Sequence, residues 1–180
     1  QLIGSELNLL NGFSVVSVTN DYVDETWEPV WGEESSIRNN YNELIVKLRQ
    51  DFSERFMNIR FRVFDDGLGF RYEFPSQKNL STFTVIDEKT EFAMSGDHKA
   101  FWIPGDYDTQ EYNYLESNLS EIKNYTLKFH EQNVSMLRFS DWGVQTSLMM
   151  KTSDGLYINI HEAALIEYSA MHLIFDPNNM

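Results

Sequence analysis

Along residues 57–64 apolar and polar side chains alternate one for one. Met57, Ile59, Phe61 and Val63 are apolar, whereas Asn58, Arg60 and Arg62 are not. A period of two buries one face of an extended chain and leaves no continuous stripe on a helix. Asp65-Asp66-Gly67-Leu68 then offers turn chemistry. Phe70, Tyr72 and Phe74 resume the alternation against Arg71 and Glu73 until Pro75 ends it. This spacing predicts a β-hairpin with one buried face. A second hairpin is predicted over residues 145–151 and 156–161, turning at Thr152-Ser153-Asp154-Gly155. Shorter strands are expected at residues 13–18, 44–49, 83–86, 125–129 and 136–139, with one short helix near 116–123. Many short strands between turn signals specify an all-β, antiparallel sandwich.

Such a fold needs bulky apolar area, and 13 Phe, 9 Tyr and 4 Trp in 180 residues supply it, which excludes intrinsic disorder. The surface is strongly acidic: 14 Lys+Arg against 28 Asp+Glu leave a net charge of −14. That field repels phosphates, so neither nucleic acid nor an anionic membrane is an expected partner; cations and neutral molecules such as sugars are. With no cysteine, disulfides, thiolate zinc sites and Cys nucleophiles are all excluded. No apolar run approaches the roughly 20 residues of a membrane span, and no stretch of these residues reads as a signal peptide, which is expected to have been lost with a missing N-terminus.

Most familiar catalytic motifs are missing. Gly67-x-Gly69 lacks the third glycine and the helix of a dinucleotide loop, and neither a P-loop nor a Gly-x-Ser-x-Gly elbow occurs. His161-Glu162-Ala163-Ala164-Leu165 starts like a zinc-protease helix, but Leu165 stands where the second histidine must be. The same segment holds the most informative residue. Leu156, Ile158 and Ile160 share one face of the predicted strand, and the alternation places Glu162 on it too. A carboxylate ending an apolar row is costly unless it is paired, protonated or bound to a cation. Two readings are open from the pattern: a strand-end glutamate reaching solvent or an Arg, which is the commoner outcome, or a hard oxygen ligand for a cation such as calcium.

Two stretches interrupt the strand rhythm. One, at residues 24–33, combines Trp27 and Trp31 with a run of acids. The other, at 101–112, joins Trp102 to Asp106, Asp108 and Glu111. Both are expected to be loops serving binding or interdomain contacts. Asp106, Asp108 and Glu111 lack the glycine turn of an EF-hand and are read as a solvated loop with Asx turns. The tryptophans are read as packing residues, with stacking on sugar rings as the sharper alternative. Paired carboxylates for glycoside hydrolysis meet in space rather than in sequence, so spacing identifies none.

Residues 24–33, 38–44, 66–74, 101–108 and 154–165 resemble, in one order, the N-terminal domain of glycoside hydrolase family 97. The similarity is greatest to the starch-utilisation α-glucosidase branch of Bacteroides-type bacteria. The resemblance implies an antiparallel β-super-sandwich over residues 1–180, incomplete at both ends and followed elsewhere by a catalytic barrel. It implies a periplasmic, calcium-dependent, inverting hydrolase of α-glucosidic linkages in starch-derived oligosaccharides. The catalytic carboxylates are implied to lie on the barrel, so none is assigned to this chain, and no substrate-binding residue is assigned either. One calcium ligand is implied to come from the His-Glu-Ala-Ala motif, which here is Glu162. The loops at 27–33 and 102–112 are then expected to dock on the barrel. The alternatives are a retaining α-galactosidase of the same family and a stand-alone carbohydrate-binding sandwich whose tryptophans form a stacking platform.

Overall fold

The computed structural model describes residues 2–3 and 8–179. The chain forms two compact units, residues 1–90 and 91–180. In the first, four long strands make an antiparallel meander: β2 (Phe13–Trp27), β3 (Ile37–Gln50), β4 (Arg55–Val63) and β5 (Leu68–Glu73). A two-residue strand β1 (Leu2–Ile3) pairs with β6 (Thr84–Val85). The predicted first hairpin is β4–β5, with the Phe64 amide donating to the Gly67 carbonyl at 2.8 Å to close its turn. Register places Val46, Ile59 and Tyr72 in one cross-strand row, with Leu44, Phe61 and Phe70 in another on the same face. The opposite face carries charges. Arg60 bonds Glu43 and, at 2.7 Å, Glu73; Arg62 reaches Glu43 at 3.0 Å and Arg71 reaches Glu73 at 2.6 Å. The end of β3 is fixed by Gln50, which is fully buried; its amide donates to the carbonyls of Asn8 and Asn11 and its oxygen accepts from Ser53.

The second unit is built on a four-stranded antiparallel sheet in the order β11–β10–β7–β8. Its strands are β7 (Lys99–Trp102), β8 (Leu115–Asn118), β10 (Leu148–Lys151) and β11 (Tyr157–Ile160). Beside it β9 (Gly143–Gln145) pairs with β12 (His172–Ile174), and one helix, α1 (Ile122–Gln132), follows a single 3₁₀ turn. The core is Ala100, Trp102, Leu119, Ile122, Val144, Leu148 and Met150. The second predicted hairpin is β10–β11; its turn needs Gly155, whose φ of +93° suits only glycine without strain. Gln145 does not belong to that hairpin, because it lies on β9. No closed barrel occurs among the described residues. The chain is thus all-β and antiparallel, of the sandwich class, as the alternation predicts.

Several local expectations fail for identifiable reasons. The segment 125–129 is helical rather than extended, because Ile122 and Thr126 lie one turn apart and are both buried. The predicted helix therefore exists but begins later: residues 116–118 are strand, and Asn118 and Glu121 form the capping box that precedes it. Residues 136–139 are irregular; the Leu137 amide donates to Asp106 and its carbonyl accepts from Tyr107. Strand β2 runs nine residues beyond the predicted end at Val18. Both of its faces are largely exposed, so no alternation marks it, and residues 24–27 are strand rather than loop. Trp102 has 0 % exposure and donates from Nε1 to Ser117 Oγ at 3.0 Å, which removes it from any docking loop or stacking platform. Trp31, by contrast, is 88 % exposed.

Two stability outcomes are expected. Trp102→Ala leaves a large void in a close-packed core and lowers unfolding free energy by about 3–5 kcal/mol, read by thermal or denaturant melting. Arg60 hydrogen-bonds the Glu73 carboxylate and, against the opposing effect of burial and with help from Arg71, lowers its pKa to about 2. The stability this contributes is full above the ordinary glutamate range and is lost as pH falls from about 4.5 to about 2. Glu73→Gln removes that part of the acid slope and costs about 1–2 kcal/mol at pH 7. An unchanged slope between pH 4.5 and 2 in the variant would refute the assignment.

Candidate functional site

Glu162 lies just beyond β11. The alternation predicted for the strand is observed: Ile158 and Ile160 pack against the core while Tyr157, Asn159 and His161 are exposed, and Glu162 is half-buried on the inward side. Leu156 departs from the row, because it sits in the turn and is exposed.

The carboxylate is held from two directions. Thr146 donates to Oε2 at 2.7 Å, and the Met171 amide donates to Oε1. Both donors are delivered by the β9–β12 ladder. Gln145 pairs with His172, so the next residues outward, Thr146 and Met171, face each other. Thr146 Oγ1 is 3.0 Å from the Met171 carbonyl as well. Burial pushes the Glu162 pKa up, but the Met171 amide and the Thr146 hydroxyl outweigh it and hold the group below the usual glutamate value. Among the described residues no Lys or Arg pairs with Glu162, so the strand-end reading with an Arg partner is not what these residues show.

The ladder is itself anchored. Gln145 is fully buried, and its amide donates to the carbonyls of Pro104 at 3.0 Å and Thr109 at 2.8 Å. Asp106 in that same loop accepts from the Tyr112 hydroxyl at 2.6 Å and from the Asp108 amide at 2.8 Å. The Asx turn is therefore present, but Asp106 is buried rather than solvated, and its oxygens are taken. Phe139 packs so tightly over this loop that a Cβ on Gly105 would lie 2.1 Å from its ring.

Among the described residues no three His, Asp or Glu side chains gather at one point. Among the described residues Glu162 therefore belongs to no such cluster. The residue nevertheless suits the role of a cation ligand: two hydrogen bonds orient it and hold its pKa below the usual glutamate value, and among the described residues no Lys or Arg forms an ion pair with it. Sequence reasoning found Glu162 but missed Thr146 and Met171. They lie 16 and 9 residues away, and only strand pairing brings them together.

These features define an antiparallel β-sandwich domain that carries one preset carboxylate. The chain belongs to the Glycosyl-hydrolase 97 N-terminal family, which it matches over residues 2–180. Solved structures of a glycoside hydrolase family 97 enzyme from Pseudoalteromonas sp. strain K8, one in complex with acarbose and one with panose, superimpose with a TM-score of 0.77 at 30 % identity. They cover 93 % of this chain and 23 % of theirs. A retaining α-galactosidase of Bacteroides thetaiotaomicron is 27 % identical over 158 residues, which is 84 % of this chain and 21 % of that protein. The chain thus spans less than a quarter of the length of these relatives.

If the two hydrogen bonds fix the carboxylate, Glu162→Ala should speed hydrogen exchange of the Met171 amide about tenfold, the loss of one net hydrogen bond. Glu162→Gln retains an acceptor for Met171 and should leave that rate nearly unchanged. Equal rates in wild type and Glu162→Ala would refute the clasp.

Proposed function

We propose that the chain is the N-terminal domain of a periplasmic, calcium-dependent glycosidase that hydrolyses α-glucosidic linkages with inversion. In this reading Glu162 is one calcium ligand. The remaining ligands and the acid and base that activate water come from the catalytic barrel on which the domain packs. The observation that carries it is the Glu162 carboxylate, aimed by Thr146 and Met171 and held by them below the usual glutamate pKa, with no Lys or Arg partner among the described residues. The family match supports a glycosidase as the whole protein. The solved enzyme at 30 % identity is in complex with acarbose in one structure and with panose in another, which supports the glucoside preference.

Calcium, when bound, supplies positive charge that orients carboxylates and stabilises developing negative charge. The work of this chain is narrower. The Met171 amide and the Thr146 hydroxyl hold Glu162 in one rotamer, so ordering it costs little when a ligand arrives. The Gln145 amide and the β9–β12 ladder keep those two donors in place. A second reading, a retaining α-galactosidase, rests on the resemblance to the Bacteroides enzyme.

The test is hydrolysis of nitrophenyl α-glucoside and α-galactoside by the full-length protein, wild type against Glu162→Gln, with chelator and graded calcium. The expected result is glucoside turnover that chelator abolishes, and a Glu162→Gln enzyme needing about 10–100 times more calcium to recover. Turnover of the galactoside alone selects the second reading. Unchanged calcium demand in Glu162→Gln refutes the ligand role.

A further inference from the structure

Between β11 and β12 the segment Ala163-Ala164-Leu165-Ile166-Glu167-Tyr168-Ser169-Ala170 runs without helix or strand. Its two ends are tied together by the clasp on Glu162. The Met171 amide donates to Oε1, and Thr146 Oγ1 stands 2.7 Å from Oε2 and 3.0 Å from the Met171 carbonyl. A segment of this length with joined ends is a compact surface loop, and its crown projects from the clasp.

That crown is apolar. Residues 163–170 are all exposed, Ile166 to 78 % and Leu165 and Tyr168 by more than half. Surface loops are ordinarily polar, and large apolar side chains grouped in water mark an interaction surface. Glu167, the only charged residue of the eight, has a φ of +51°, in the left-handed region that a glutamate seldom adopts. Strain of this kind is kept where the shape of a segment is used.

The chemistry of the loop narrows its partner. It carries no Lys or Arg, and a chain of net charge −14 gains nothing from an anionic membrane. Three large side chains fall well short of the roughly 800 Å² per partner that a specific complex of separate proteins buries, which disfavours a second copy. A domain on the same polypeptide needs less area, because tethering holds it at high effective concentration. The matched region is 23 % of the solved relatives, so such enzymes have further domains at hand. Position agrees. Calcium takes oxygens at about 2.3–2.6 Å, so a surface sharing an ion with Glu162 comes within about 5 Å of its carboxylate. Chain length keeps Leu165 within about 10 Å of Glu162. The same surface therefore meets the loop.

We propose that residues 163–170 dock the domain onto the catalytic barrel of the same polypeptide, with Leu165 and Ile166 entering an apolar pocket there. This rests on the reading of the chain as one domain of a larger glycosidase. Docking at the crown then steadies the clasp at the neck, so the contact and the Glu162 carboxylate are set together.

Hydrogen exchange read by mass spectrometry on the full-length protein tests it, comparing wild type with Ile166→Asp, Leu165→Ser and the control Val134→Asp. Val134 is as exposed as Ile166 but lies just after α1. The expected result is that amides 163–170 exchange at least about tenfold faster in Ile166→Asp than in wild type, the loss of one buried aliphatic contact. Leu165→Ser should give a similar rise, and it carries the test if Ile166→Asp does not fold. Val134→Asp should leave the loop unchanged, and protection of β10 should be equal in all four. A wild-type loop that exchanges at the rate of an unstructured segment overturns the proposal, as does protection that neither loop variant reduces. Protection that appears only at high protein concentration, with dimers in sedimentation, overturns it in favour of a second copy. Turnover of nitrophenyl α-glycosides is read on the same samples. Absent turnover marks failure of the glycosidase reading, whereas the exchange rates report docking by themselves.

Discussion

The candidate site depends on the three-residue pairing of β9 with β12. Because Gln145 lies opposite His172, the strands leave the ladder with Thr146 facing Met171, and the Glu162 carboxylate is taken up between them. The Gln145 side chain, buried and bonded to two carbonyls of the loop that follows Pro104, keeps the ladder from sliding. A one-residue slip would exchange the two faces of β9 and bury a different side chain in its place. One buried amide thus positions a loop and a pair of strands, and through them an anionic oxygen two residues from any regular element.

Charge is distributed unevenly over the two units, and this explains how so acidic a chain stays folded. In the first unit the guanidinium groups of Arg60, Arg62 and Arg71 are interleaved with Glu43 and Glu73 on one face of the meander, so the carboxylates nearest the sheet are neutralised there. In the second unit no guanidinium among the described residues pairs with Glu162. An ionised, ordered and unpaired carboxylate is the less stable arrangement in isolation, and sites that await a cation have this character.

How much of this was legible from the residues depends on whether local pattern or distant pairing made the decision. The β4–β5 hairpin was legible because alternation and turn chemistry agree over neighbouring residues. The inward position of Glu162 was legible for the same reason, since it continues the Ile158–Ile160 row. Strand β2 was not, because a strand exposed on both faces carries no periodicity. Residues 125–129 were misleading: Tyr125, Leu127 and Phe129 alternate as in a strand, yet the Asn118–Glu121 capping box and the burial of Ile122 and Thr126 impose a helix. Trp102 sits in a stretch rich in proline, glycine and acids that reads as a surface loop, and its burial follows from a strand pairing and from Ser117, fifteen residues away.

By itself the sequence determined the class of fold, the strongly acidic charge, the lack of cysteine thiols and the inward position of one carboxylate. Those properties depend on composition or on contacts within a few residues, where side-chain period and turn preference act directly. Only the tertiary structure decided which tryptophan is core and which is exposed, and what holds Glu162. These depend on register between strands separated by tens of residues. Register is set by the whole set of buried faces being satisfied at once, which no local stretch of the chain encodes.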